Sequence, residues 1–149
     1  MPDTSAHLRP ATAHDLPLIY RGEVRYMRDT EPESLARWTN AVDRNLELWI
    51  NQLERTRVLE FDGEAAGYLM WMPHDGAALL VTINVSPERR KQGLGRVLLD
   101  AFVAEAKAAG FTRLELGVHK DNPARSLYES AGFTHVSDDG DYLLFERAA

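Results

Sequence analysis

Apolar positions along this 149-residue chain recur with two periods, and the switches between them divide it into elements. Leu8-Arg9-Pro10-Ala11 reads as a short first strand. Thr12, with Asp15 three residues later, marks a helix N-cap ahead of Leu16, Ile19, Tyr20 and Val24. After a loop around 29–33, Leu35, Trp38, Val42, Leu46, Trp49, Ile50 and Leu53 keep steps of three and four, which predicts one long amphipathic helix with its tryptophans in the core. Runs at 57–61 and 65–72 flank Asp62-Gly63, a hairpin signal, and Pro73-His74-Asp75-Gly76 turns the chain into an apolar run over 77–85 that stops at Ser86-Pro87. Leu94, Leu98, Ala101, Phe102 and Glu105 then place a helix over 93–109, ended by Gly110. A strand over 112–118, a short helix over 123–131 closed by Gly132, and a hairpin of 133–136 with 142–145 complete the chain.

Because a helix joins the strand at 77–85 to that at 112–118, the two should lie parallel with a right-handed crossover, among otherwise antiparallel neighbours. The expectation is an α+β domain spanning 1–149: a mixed sheet of about seven strands with helices on both faces. A composition of 44% hydrophobic and 9% aromatic residues is enough for one real core. No apolar run approaches membrane-spanning length, and the opening Met-Pro-Asp-Thr-Ser-Ala-His carries neither a basic nor an apolar leader region, so a soluble, cytoplasmic protein is expected. There is no cysteine, which excludes disulfides, thiolate metal sites and a cysteine nucleophile; the five histidines form no ligand-like cluster, so no metal is expected. A formal net charge of −6 argues against nucleic acid as the main partner.

Against that acidic chain, the stretch over 83–99 stands out. Arg89, Arg90, Lys91 and Arg96 surround Gly93 and Gly95 where a strand gives way to a helix. Glycines admit close approach of a ligand to the backbone, and the helix start offers unpaired N–H groups at the positive end of its dipole. The place suits an anion such as a pyrophosphate. Neither a P-loop nor a full Gly-x-Gly-x-x-Gly is present, since Leu98 stands where the third glycine belongs.

Arg90-x-x-Gly93-x-Gly95, after a strand ending Val-x-Pro, closely resembles the acetyl-CoA loop of the GNAT superfamily of N-acetyltransferases. A second segment, Ala124, Leu127, Tyr128, Gly132 and Phe133, resembles the same family independently, and Arg9-Pro10-Ala11-Thr12-x-x-Asp15-Leu16 is similar to many GNAT amino termini. Taken alone, the second segment is a capped short helix that packs Leu127 and Tyr128 inward; two family motifs in the right order outweigh that reading. The resemblance implies an acetyl-CoA-dependent transfer to a primary amine by direct attack. Tyr128 would be the general acid beside the coenzyme A sulfur. Asn84 and Val85 would sit at a strand bulge that splays two parallel strands around the acetyl-CoA groove and frees N–H groups for the acetyl and pantetheine portions. Arg90, Gln92, Gly93, Leu94, Gly95 and Arg96 would cradle the pyrophosphate. The family's asparagine seven residues before the tyrosine is Asp121 here, and a carboxylate facing the cofactor is unfavourable, so Asn122 takes that role or none does.

A phenol with its ordinary pKa of about 10 is protonated at neutral pH and can donate to a departing thiolate. The amine must also lose a proton, and the base stays open: Glu23, Glu115, His119, the His74-Asp75 pair or a water relay. The strand that supplies a glutamate in some family members reads Leu79-Leu-Val-Thr-Ile here, without a carboxylate. Glu23, Asp29, Glu31, Glu33, Asp138, Asp139 and Asp141 crowd the regions that form the acceptor pocket in this family, which suits a cationic acceptor, either a small molecule or a protein amino group. No membrane partner is expected, and a homodimer is left open. The rival reading is a non-catalytic acyl-CoA-binding sensor on the same fold; the presence of Tyr128 argues against it. A nucleotide-binding module would leave the Tyr128 segment unexplained.

Overall fold

The computed structural model describes residues 6–149; residues 1–5, part of the stretch read above for a leader, lie outside the described residues. Seven strands form one sheet: β1 (Ala6–Pro10), β2 (Thr56–Phe61), β3 (Glu64–His74), β4 (Ala77–Val85), β5 (Arg113–His119), β6 (Thr134–Asp139) and β7 (Tyr142–Ala148), in the order β1-β2-β3-β4-β5-β7-β6. Only β4 and β5 are parallel, joined by α4 (Leu94–Ala108) as the crossover expectation required. The other helices are α1 (Leu16–Thr30), α2 (Leu35–Asn40), α3 (Val42–Asn51) and α5 (Arg125–Ser130).

Strand periodicity builds a core on each face of this sheet. Along β3, Tyr68 and Met70 point to one side and join Ile19 of α1 and Trp49 of α3, whereas Leu69 and Trp71 point to the other and join Leu98, Leu99 and Phe102 of α4. Alternation of side chains therefore fixes which helices share a layer. On the α1 side the approach is close because residue 22 is glycine: a Cβ there would run into the Tyr68 hydroxyl and ring. At the two hairpins Asp62-Gly63 and Asp75-Gly76 all four residues have positive φ, the turn geometry that matches strand twist.

The helix expected over 35–53 is broken. Ala41 sits at φ −106°, ψ 13° between α2 and α3, and a short 3-10 turn over Leu53–Arg55 follows. Thr39 accounts for the break locally, since its hydroxyl donates back to the Leu35 carbonyl at 2.8 Å, a competing bond that bends helices. The bend brings the Trp38 and Trp49 rings to 6.4 Å; Trp49 is core, but Trp38 is only half-buried.

At the other end of the domain the N-cap is stronger than its motif alone implies. The Thr12 N–H donates to Asp15 Oδ2 at 2.8 Å, completing a capping box, and Arg9 holds both Asp15 oxygens at 2.8 and 2.9 Å. These donors, Arg9 first, hold the Asp15 carboxyl below its usual range. A depressed carboxyl stabilises the fold above its unfolded pKa and loses that contribution as pH falls through the folded value. Asp15→Asn should thus lower unfolding free energy by about 1 kcal/mol at pH 7, the usual worth of a cap. Denaturant titrations should show the gap to wild type beginning to narrow near pH 4, as the unfolded chain takes up the proton, and closing only once the pH has fallen past the depressed folded value.

Candidate active site

The parallel pair β4 and β5 is short. Ala78, Leu79 and Leu80 face Leu114, Glu115 and Leu116, and beyond them the register holds no further pairs. Directly after Leu80, the last residue paired with β5, β4 slips against β3: Met70 faces Thr82 but Trp71 faces Leu80, so Val81 is the extra residue of a bulge. The bulge thus lies at Val81; Asn84 and Val85, expected to carry it, are in regular register with Tyr68 and Gly67. It bends β4 away from β5 and opens a cavity of about 580 Å³ lined by Val81, Thr82, Ile83 and Asn84 on one side and by Gly117, His119, Asn122 and Tyr128 on the other. Helices α1, α2 and α3 close its remaining walls through Glu23, Tyr26, Trp38 and Asn45.

Glu23 is held at the base of the split. Tyr68 Oη lies 2.7 Å and Thr82 Oγ1 3.1 Å from its Oε2, and both donate to it; Oε1 has no hydrogen-bond partner among the described residues. Burial raises the Glu23 pKa above the ordinary glutamate value, and the two donors oppose that rise. Asn84 Nδ2 donates to the Gly22 carbonyl at 3.2 Å, which ties the same turn of α1 to β4.

Across the cavity, Tyr128 is buried on α5 with its ring edge against Phe133 at 6.3 Å. Gly132, at φ 91°, ends this helix so that Phe133 N–H returns to the Tyr128 carbonyl at 3.1 Å, which locks the tyrosine in place. Burial alone pushes its hydroxyl up to about 12. It is a donor at any physiological pH.

The outer wall joins distant parts of the chain. Glu31, buried at the carboxyl end of α1, accepts a hydrogen bond from Tyr142 of β7 at 2.6 Å, and its neighbouring charge, after burial, pushes the Tyr26 and Tyr142 hydroxyls up. His119 is buried against the Tyr142 ring at 5.4 Å, accepts from Asp121 N–H at Nδ1 (3.1 Å) and has Nε2 3.8 Å from Glu33.

Of the residues expected from sequence, the cavity gathers Asn84, Asn122 and Tyr128. Asn122 Oδ1 also accepts from Ala124 N–H at 2.9 Å, whereas the Asp121 side chain is largely exposed and does not line the cavity. Val85, Arg90, Gln92, Gly93, Leu94, Gly95 and Arg96 lie outside it, around the start of α4. There Gly93 takes φ 78° and Lys91 φ 62°, and no side chain caps the helix, leaving its first N–H groups unsatisfied. Arg90 and Gln92 are exposed with no side-chain partner among the described residues, while Arg96 pairs with Asp100 at 2.9 Å. Arg89 is tied back to Asp62 at 3.3 Å and covers the Phe61 ring. The Leu94 side chain is buried in the core, which leaves its backbone to face a ligand, and a Cβ on Gly95 would meet Leu127 Cδ2 at 3.3 Å, so this glycine also lets α4 and α5 pack closely.

Among the proposed bases, Glu23 and His119 line the cavity. Glu115 pairs with Leu79 at the closed end of the split and is bound by Arg113 at 3.0 Å, and His74-Asp75 sits at the far β3–β4 hairpin. Tyr68 and Thr82 escaped sequence reading, and Glu31, expected only as part of an acidic pocket region, is a buried acceptor for Tyr142. Tyr26 could have been found, because it lies three residues after Glu23 and so on the same helix face. Among the described residues no group of three or more potential ligands could hold a metal, and no helix is long and apolar enough to cross a membrane.

A family model, the Acetyltransferase (GNAT) family, matches residues 19–133, and the chain belongs to that family. It is 33% identical over 101 residues to mycothiol acetyltransferase of Clavibacter michiganensis subsp. michiganensis, a match covering 67% of this chain and 33% of that protein. The chain thus spans about a third of the length of that relative. It is 35% identical over 77 residues to the [ribosomal protein bS18]-alanine N-acetyltransferase of Escherichia coli K12, covering 51% of this chain and 52% of that one. The fold is shared with the PaiA N-acetyltransferase of Thermoplasma acidophilum, solved in complex with coenzyme A, at a TM-score of 0.84 and 19% identity over 97% and 99% of the two chains.

The buried carboxyl at Glu23 carries its own test. In carbon-13-labelled protein, a glutamate carboxyl should titrate above the ordinary range of about 4.3, and Glu23→Gln should remove that resonance and leave the others in place.

Proposed function

We propose that this protein is an acetyl-CoA-dependent N-acetyltransferase that modifies a primary amine. The observation that carries the reading is the placement of Glu23 and Tyr128 in one cavity at a parted parallel strand pair, next to a helix start with unsatisfied N–H groups. The donor's pyrophosphate suits those N–H groups with Arg90, Gln92, Gly93 and Arg96 around them, and the parted strands suit a slender chain running inward to Asn84 and Asn122. Acetyl-CoA, when bound, supplies an activated acetyl thioester.

This chain's own groups do the rest. Glu23, raised by burial and open on Oε1, takes the proton from the acceptor's ammonium nitrogen and leaves its lone pair free. Tyr128 donates a hydrogen bond where charge grows on sulfur. At about 12 its hydroxyl is too weak an acid to surrender the proton early, so it stabilises by donation as the bond breaks. Glu31, Glu23 and Asp141 among the lining groups, with Arg37 as the opposing charge, favour a cationic acceptor. A small amine or a protein amino group both satisfy that preference.

Thiol release from acetyl-CoA, assayed with an alanyl dipeptide amide, a linear diamine and an aminosugar, tests the reading; a folded protein that releases no thiol with any amine tried favours the sensor. Tyr128→Phe keeps the ring and removes the donor, so kcat should fall about 100-fold with acetyl-CoA affinity unchanged. Turnover within twofold of wild type would return Tyr128 to a packing role. Arg90→Ala should weaken acetyl-CoA binding about tenfold by calorimetry, the worth of one charge-assisted contact, while Arg89→Ala, which breaks the tie to Asp62, should lower the melting temperature and weaken binding less than Arg90→Ala does.

A further inference from the structure

We infer that Tyr68 and Thr82 are positioning residues for Glu23, holding one carboxyl oxygen in both of its protonation states so that the other stays available to the acceptor; the inference rests on the proposed role of Glu23 as base. Three elements converge on this point. Tyr68 comes from β3 and is buried, Thr82 comes from β4 immediately after the Val81 bulge, and Glu23 comes from α1. Both hydroxyls aim at the same atom, Oε2, from 2.7 and 3.1 Å. The close approach exists because Gly22 has no Cβ to strike the Tyr68 ring.

The Tyr68 hydroxyl has a second acceptor within reach, the Ile19 carbonyl at 3.2 Å. It owns one proton. With Glu23 ionised, the shorter, charge-assisted bond to Oε2 is the stronger choice. When Glu23 takes a proton on Oε1 from the acceptor nitrogen, which keeps the lone pair, Oε2 becomes the carbonyl oxygen of a neutral acid and still accepts, more weakly, from Thr82 and Tyr68, with the Ile19 carbonyl as the alternative acceptor for the Tyr68 proton. No buried group is left unpaired in either state, so the carboxyl need not move between them. The proton then leaves to water through the cavity mouth.

The charges around this relay are few. Tyr68 feels Glu23 and, weakly, Arg25 on α1; across the cavity stand His119 on β5, Tyr128 on α5, Tyr26 on α1 and Glu31 just after it, Arg37 on α2, and Asp141 and Tyr142 at the last hairpin. Removing a donor to the anion disfavours the charged form, so the Glu23 pKa must rise and the acid limb of activity must move to higher pH.

The test is the titration of the Glu23 carboxyl by carbon-13 resonance in wild type, Tyr68→Phe and Thr82→Val, with kcat/KM against pH for the most active amine of the panel above. The expected result is a midpoint raised by about one pH unit in Tyr68→Phe and by less in Thr82→Val, with the acid limb shifted by the same amounts and the high-pH plateau nearly kept. An unmoved midpoint in folded variants overturns the inference, as does a loss of rate that is equal at all pH values. Should Tyr68→Phe fail to fold, Thr82→Val decides alone. Glu23→Gln at wild-type turnover would overturn the base reading instead, and the carboxyl titration would still report on Tyr68 and Thr82.

Discussion

The constraint on which the site depends is the brevity of the one parallel strand pair. Three facing residues on β4 and β5 are enough to close the sheet through its middle, and the slip at Val81 then turns the rest of β4 outward. Backbone groups that a longer ladder would consume are left for other partners. The cost of parting two strands is met elsewhere, by apolar cores on both faces that grip β3 and by β7, which pairs with β5 along its full length.

Those two cores also divide labour. The α4 and α5 face is the larger, holds Phe102, Leu98 and Phe145, and fixes Tyr128 from behind. The α1 and α3 face is smaller, built on Ile19, Trp49, Tyr68 and Met70, and carries most of the polar groups that line the cavity. Rigidity lies behind the proposed acid, and the more polar face lies behind the proposed base. Tyr68 belongs to both descriptions, since its ring is core and its hydroxyl reaches Glu23.

Much of this was legible in the chain. Period and punctuation located all seven strands, because Asp-Gly turns, a capping box and Gly132 each leave a local residue signature. The two family segments likewise brought Asn84, Asn122 and Tyr128 to one cavity. What stayed hidden depends on contacts far apart in sequence. No local signal says that Val81 is the bulged residue, since it lies in a continuous apolar run with Ala77, Ala78, Leu79 and Leu80. Nothing around Tyr68 announces that its hydroxyl meets Glu23, 45 positions away. The helix over 35–53 was misjudged for a different reason: the apolar spacing continues through the break, and only the Thr39 hydroxyl competes with it.

The tie between Arg89 and the β2–β3 hairpin has a consequence for how this surface tolerates change. Arg89 is the last residue of the 3-10 turn that leads into the α4 loop, and it reaches back to Asp62 and Glu64 while lying 5.1 Å from the Phe61 ring centroid. The hairpin tip therefore works as a splint, setting the angle at which residues 90–93 leave the sheet. A substitution at Asp62 touches no ligand-facing atom, yet it would loosen that departure angle and pass for damage to the loop itself, so drift at this remote turn and drift at the α4 start are mechanically one trait.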